Sequence, residues 1–372
     1  MSPKSPFALA GQKPVVMGTG LVALDVVMNT DVHRPPRLWA GGTCGNVLTI
    51  LSYLGWHAYP VSRLNEDIPS KHLLRDLSKW GCHLKFVYSR QGGSTPVIVE
   101  HIRHDAAGKA LHSFSGSCPR CGALLPRYKA MLIADARDIA AQIEHPQVFF
   151  LDRVSPGALI LARASATQGA LVVFEPSSVG DPRLFREALA LAHILKYSHE
   201  RMGPLDEMVS TGGPLLAVET LGEEGLRYRS KLPLCTSNDW EWLNAYAVDE
   251  VKNAAGAGDW CTAGIVHRLG QRGLQGLQRV TATPLVDALC FGQALAAWNC
   301  GFEGARGGMH SVTKKVFRCD IEQIMVGKGP NRSVLEHSKR AEKEVFRTIC
   351  TRHCQRVEYR VPETLVRSMC AP

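Results

Sequence analysis

Short apolar runs alternate with longer amphipathic stretches along most of the 372 residues. PVVMGTG (14–20), QVFFLD (147–152), LVVFEP (171–176), HILKYS (193–198) and PLLAVET (214–220) are brief and rich in Val, Leu, Ile and Phe. Each is bounded by Gly, Pro or charge, which predicts buried strands. Between them lie helical patterns. In GNVLTILSYLG (45–55), Val47, Ile50, Leu51 and Leu54 fall on one face. SPGALILARASATQG (155–169) and DPRLFREALALA (181–192) each open on Ser or Asp followed by Pro, the chemistry of a helix start. Strand–helix–strand repetition predicts an α/β fold, a mostly parallel sheet covered by helices on both faces. Ligands of such sheets bind beyond the carboxyl ends of the strands.

Two regions break the rhythm. Residues 83–116 and part of 26–40 look like antiparallel strands with Gly-rich turns, the makings of a small β accessory sheet. After Met309 comes another strand-like piece. Then SVLEHSKRAEKEVFRTIC (333–350) follows, where Ser333 and Glu336 fit a capping box and Val334, Ala341, Val345 and Ile349 form a stripe. The expected division is a core of residues 1–312, with lid strands near 26–40 and 83–116 and an insertion at 117–126. A mainly helical extension would occupy 313–372.

Charge sharpens this picture. The chain carries +9 in all, and 13 Lys/Arg against 7 Asp/Glu after Val312 put +6 in the last sixty residues. Such a tail can attract a polyanion, although its mixed signs equally describe a solvated helix. The rest is nearly neutral, as suits an enzyme of small molecules. Nothing reads as a signal peptide or a membrane span, so a cytoplasmic protein with no membrane partner is expected. The 12 cysteines are scattered rather than framed like a disulfide scaffold.

The chemistry concentrates in VKNAAGAGDW (251–260), where Gly256, Ala257 and Gly258 run into Asp259 at the mouth of a predicted helix. Glycine lets the backbone bend sharply, and the unpaired amides at a helix N-terminus sit at the positive end of its dipole. That makes a pocket for phosphate, with a carboxylate beside it able to take a proton from an attacking hydroxyl. Spacing alone also fits an ordinary loop-to-helix joint.

The surrounding segments resemble, in order, those of the PfkB or ribokinase-like carbohydrate kinases. NAAGAGDWCTAG resembles the family's D-T-x-G-A-G-D signature, and AGGTCGNVLTILSYLG (40–55) its G-G-x-x-x-N helix start. GLVALDVVM (20–28) looks like the first strand, VFEPSSVGDPRLF the D-P-N-x-R segment, ETLGEEGLRY the nucleotide segment and FGQALAAWNCGFEGA the last core helix. The resemblance runs from about residue 14 to 312. It implies a ribokinase-like fold with a small β lid, an ATP and Mg2+ requirement, and a sugar or nucleoside acceptor. Asp259 would be the catalytic base and Gly256, Ala257 and Gly258 the anion hole. Asp25, Gly41, Gly42 and Asn46 would bind the acceptor, while Thr220, Gly222, Gly225 and Gln293 would line the nucleotide site. The lid would also serve as a homodimer surface. Asp25 ending a strand, Asn46 capping a helix and Gly41–Gly42 making a turn are the structural alternatives.

Three departures stand out. Asn253, Ala254 and Ala255 replace the residues that help hold an activating monovalent cation in many relatives, so such activation is not expected. Ser198-His199-Glu200-Arg201 stands where N-x-x-E is usual, leaving Glu200 or the phosphates alone to hold Mg2+. Glu175 replaces an Asp. A retained ligand-binding or regulatory protein, tethered through its basic tail to nucleic acid, is therefore the alternative to an active kinase.

SGSCPRCGALLP (115–126) is unusual for the family. Cys118, Cys121 and Gly122 make a knuckle of zinc-ribbon type, whose spacing lets two thiolates grip one ion. Cys350 and Cys354, with His353 between them, are the expected partners in a structural Zn2+ site; Cys82 and His112 are other candidates. A plain or redox-active cysteine pair is the alternative. Cys44, Cys261, Cys290 and Cys300 fall in predicted helices as small core residues.

Overall fold

The strands form two sheets. The computed structural model describes residues 5–29, 36–104, 110–206, 213–237, 239–329 and 349–350. The larger sheet has the order β13-β12-β11-β10-β9-β8-β1-β4-β5. Its strands are β1 (Val15–Thr19), β4 (His57–Leu64), β5 (Val87–Ser89), β8 (Val148–Leu151), β9 (Leu171–Phe174), β10 (Ile194–Ser198), β11 (Leu216–Thr220), β12 (Leu226–Ser230) and β13 (Glu241–Leu243). Pairing is parallel from β5 to β11, and the β11–β12 and β12–β13 pairings at one edge are antiparallel, so that β12 is the reversed strand. The smaller sheet, β3-β2-β6-β7, comprises β2 (Ala23–Met28), β3 (Arg37–Gly41), β6 (Val97–His104) and β7 (Ala110–Ser115).

Strand alternation splits the interior into two cores. Val148 and Phe150 of β8 face one side, and Phe149 and Leu151 face the other. The second side is closed by α3 (Ile133–Ala140), α4 (Pro156–Thr167) and α5 (Pro182–Leu191) through Ile139, Leu161 and Phe185. Ser155 caps α4 and Asp181 caps α5, each followed by proline, as their sequences predict. The first side is closed by α1 (Thr43–Tyr53) and α2 (Ile68–Lys79), with α6 (His199–Met202) a single turn after β10. Four further helices follow: α7 (Ala257–Leu269), α8 (Gly273–Gln278), α9 (Ala282–Cys300) and α10 (Gly307–Ser311), before α11 (Lys314–Met325). Tyr53, Trp260, Trp298 and Phe317 from four of these helices meet edge to face, with Trp298 and Phe317 4.7 Å apart.

Three details differ from the pattern-based expectation. Residues 83–89 do not join the lid: β5 pairs in parallel with β4 at the edge of the main sheet. GLVALDVVM forms not the first strand but β2, which crosses from the main sheet into the lid. The strand-like piece after Met309 is helical, and α11 buries Phe317, Ile321 and Ile324 in the first core, so that core does not end at residue 312. The capping box at Ser333 and the stripe from Val334 lie outside the described residues, apart from Ile349.

Candidate active site

The glycine turn forms at the start of α7 as its composition requires. Gly256 has φ 75° and ψ −5°, and a Cβ there would fall 2.4 Å from the carbonyl oxygen of Ala305. Left-handed backbone and close approach both exclude a side chain. The Ala257 amide bonds the Ala254 carbonyl at 3.2 Å. The amides of Gly258 and Asp259 lie in the first helical turn, where the helix supplies no acceptor and its dipole favours an anion.

Asp259 is the third residue of α7. Its Oδ2 accepts a 2.7 Å hydrogen bond from Nδ2 of Asn46 on α1. Asn46 does not cap its helix; Gly42 holds that position. Burial first, then the Glu175 carboxylate, pushes the Asp259 acid up to about 7, while the Asn46 bond, Lys196 and Arg201 pull it down. A carboxyl balanced near neutrality can both accept and release a proton.

The oxygen of the same Asn46 amide accepts from Nε of Arg306 at 3.0 Å. That guanidinium is buried and also binds Asp76 on α2 at 2.7 Å and the carbonyl oxygen of Ala40. Burial raises the Asp76 acid, but Arg306 outweighs it and holds Asp76 low. One nitrogen, NH1, has no protein partner. Asp25 on β2 is in the same state: its Oδ1 is enclosed without a hydrogen-bond partner. Burial, Glu100 and Asp259 push Asp25 up to about 8 against the pull of Arg306 and the Gly42 amide. Gly41 leaves the space this carboxylate fills, since a Cβ there would lie 1.8 Å from Oδ2. The four expected acceptor-side residues thus gather around Asp25 and Asp259, with two polar atoms still to be satisfied.

Behind the turn stands a charge pair that the sequence reading did not single out. Lys196, buried in β10, donates to Oε1 of Glu175 at 2.5 Å and to the Gly258 carbonyl at 3.0 Å. Glu175 also accepts from the Thr262 hydroxyl at 2.6 Å. Burial alone would lower the lysine, but Glu175 more than offsets it, so Lys196 stays charged. On the lid side, Glu100 of β6 accepts from Asn253 at 2.5 Å, and burial pushes Glu100 up to about 7.

The expected nucleotide residues lie on separate elements. Thr220 ends β11 with its hydroxyl on the Tyr197 carbonyl at 3.3 Å, and Gly222 opens and Gly225 closes the 3-10 turn that follows. Gln293 is buried in α9 with its Nε2 lacking a partner. Glu200 is exposed on α6. His199, next to it, contacts the buried Glu219 at 2.5 Å, which also takes Nε of Arg227 at 2.5 Å.

Far from Asp259 in sequence, the sulfurs of Cys118, Cys121 and Cys350 lie within 4.8 Å of one another, a group that could hold a metal ion. Cys354 and His353 lie outside the described residues. Cys82 belongs elsewhere, buried in the first core near the Thr49 hydroxyl, and His112 packs edge-on against Phe114. Neither is part of the cluster. Cys44 and Cys261 are buried as expected, whereas Cys290 and Cys300 are partly exposed. Tyr53 is a core residue and Trp39 stacks on His310 at 4.5 Å.

Sheet order, lid and glycine turn define a ribokinase-like fold, and solved structures agree. A fructokinase with bound ATP from Xylella fastidiosa is 17% identical, with a TM-score of 0.60 over 79% of this chain and 94% of its own. Arabidopsis thaliana ribokinase complexed with ribose and ATP is 18% identical, with a TM-score of 0.56 over 79% and 95%. A nucleoside kinase of Burkholderia thailandensis in complex with inosine is 16% identical, with a TM-score of 0.56 over 78% and 91%. At these identities the likeness is one of fold. No protein-family profile matches the sequence, and no curated protein matches it.

Proposed function

We propose that the chain is an ATP- and Mg2+-dependent kinase that phosphorylates a hydroxyl, a primary one, of a sugar or nucleoside. One observation carries the reading. A carboxyl poised near neutrality sits one residue beyond a glycine turn at a helix N-terminus, where the Gly258 and Asp259 amides have no acceptor within the helix, and it is bonded to the amide that orients Arg306. In this reading Asp259 takes the acceptor proton, and the amides of the Gly256–Ala257–Gly258 turn stabilise the charge on the transferring phosphoryl group. Acceptor hydroxyls satisfy Asp25 Oδ1 and Arg306 NH1, beside Asn46, Gly41 and Gly42. Thr220, Gly222, Gly225 and Gln293 bind the nucleotide, and the unmet Gln293 donor supports that assignment. Mg2+ would supply charge neutralisation for the phosphates, held by Glu200 or mainly by the phosphates themselves. Lid closure excludes water so that phosphate reaches the acceptor.

The same reading includes a cytoplasmic homodimer paired through the lid, supported by Leu111 and Phe114, which stay about half exposed on β7 at the lid's edge. No helix among the described residues is long and apolar enough to cross a membrane. A second reading, a catalytically weakened ligand-binding or regulatory protein that binds nucleic acid through its basic tail, is favoured by the residues at 253–255 and 198–201. The test is ADP release over a panel of sugars and nucleosides. An active kinase shows acceptor-dependent turnover, which Asp259→Ala lowers by about 10²–10⁴-fold without loss of nucleotide binding. Turnover by no acceptor, together with salt-sensitive binding of RNA or DNA, would transfer the assignment to the second reading.

A further inference from the structure

We propose that Cys118, Cys121 and Cys350 bind a structural Zn2+ that fastens the segment at Cys350 to the lid. The first half of the site is built by a short hairpin. Ser117 and Leu124 bridge it, the Leu125 amide bonds the Gly116 carbonyl at 2.8 Å, and the Cys118 amide bonds Ala123 at 2.8 Å. The Gly122 amide returns to the Cys118 carbonyl at 2.8 Å, and Gly122 has φ 70°. A Cβ on Gly122 would touch nothing within 4 Å, so it is the left-handed turn that calls for glycine there. This turn brings two sulfurs three residues apart onto one side, the grip of a zinc knuckle.

The second half arrives from 229 residues away. The sulfurs of Cys121 and Cys350 are 3.5 Å apart. A disulfide would bring them to about 2.05 Å. Two thiolates at about 2.3 Å from one tetrahedral ion stand about 3.8 Å apart. All three sulfurs share that scale, lying within 4.8 Å of one another. Three thiolates select a soft divalent ion and reject Mg2+ and Ca2+. Binding releases the thiol protons to solvent and needs no oxidant.

The surroundings say what the ion fastens. Ile349 and Cys350 are buried in a small core with Leu24 and Val26 of β2, Val97 and Val99 of β6, and Leu125 of the hairpin. Those strands are the lid, and β2 carries Asp25. Two buried residues are a small anchor. A shared ion makes the anchor firm. The Zn2+ therefore staples Ile349 and Cys350 to the lid, independently of whether the chain is a kinase.

Metal analysis of the full chain, purified without chelator, tests this. One zinc per chain is expected, retained through an EDTA wash and released when a mercurial blocks the thiols. Cys118→Ser and Cys350→Ser should each lower it at least fivefold, and Cys319→Ser, exposed on α11, should leave it unchanged. Should the variants misfold, trypsin sensitivity of the parent decides. Stripping the metal should speed release of the fragment beyond Lys328 at least tenfold while the rest stays folded. Folded protein without zinc, a 2 Da mass loss marking a disulfide, iron in place of zinc, or full zinc in Cys350→Ser would each overturn the proposal.

Discussion

Lys196→Met removes the one cation that neutralises Glu175 behind the glycine turn. The lysine side chain is 3% exposed and that of Glu175 10%, so neither can turn to water. Without the ammonium, Glu175 keeps only the Thr262 hydroxyl, and the Gly258 carbonyl loses a donor. Breaking a buried pair from one side costs about 3–5 kcal/mol. With an unfolding entropy of about 2.1 cal/mol/K per residue, a chain of this length should lose about 4–6 °C in Tm. Glu175→Gln in the same chain leaves no charge and still accepts from Thr262. The double variant should therefore recover at least about 2 kcal/mol relative to Lys196→Met alone. The assay is urea unfolding of parent, both single variants and the double variant at one neutral pH. A double variant no more stable than Lys196→Met would refute the reasoning.

Other outcomes follow from the same geometry. Arg306→Met, which strips a partner from Asp76, Asn46 and Ala40 together, should cost about 3–5 kcal/mol in urea unfolding, and Arg306→Lys distinctly less because charge is kept; a loss below about 1 kcal/mol for Met would mean the guanidinium is not structural. Asp25, Glu100 and Asp259 have acids raised to about 8, 7 and 7, so the folded chain holds more protons than the unfolded one across pH 4–8. Their contribution is complete below the unfolded acids near pH 4 and is lost as pH rises through the folded values, so ligand-free Tm should fall from pH 5.5 to 8. Scanning fluorimetry checks this; Asp25→Asn should flatten the fall, and a Tm that climbed instead would show these carboxylates ionised throughout.

The main sheet was legible because its strands are apolar on both faces and its helices carry their own caps at Ser155 and Asp181. Legibility failed where local pattern carries no partner information. Residues 87–89 read as lid because they precede a hairpin, yet three ladder contacts with β4 decide their sheet. The segment after Met309 has too few apolar positions to separate strand from helix; Phe317 packing on Trp298 settles it. In the site, Asp259 and Asn46 were readable from the resemblance, while their bond was not. Lys196 had a signal that was overlooked, a lone charge inside the buried strand HILKYS. Arg306 had none, since a single arginine among glycines in GARGG reads as a loop.

Asn253 explains how the two halves of the site act as one. Its amide group donates to Glu100 on lid strand β6 and accepts from the Ala255 amide at 2.5 Å, one residue before the glycine turn. The turn is held on its other side by Asn299, which donates to the Ala255 carbonyl at 2.8 Å, and by the Cys300 carbonyl, which takes the amides of Lys252 and Asn253. The loop ahead of Gly256 is thus suspended between α9 and the lid by neutral amides. Since Glu100 and Asp25 lie on neighbouring paired strands, a shift of the lid carries both. It moves Asp25 directly and tugs the turn through Asn253. A bonded side chain transmits displacement in a way that a screened charge does not, because its length is fixed to a few tenths of an ångström. The position of the lid strand and the shape of the turn are tied through that one buried amide.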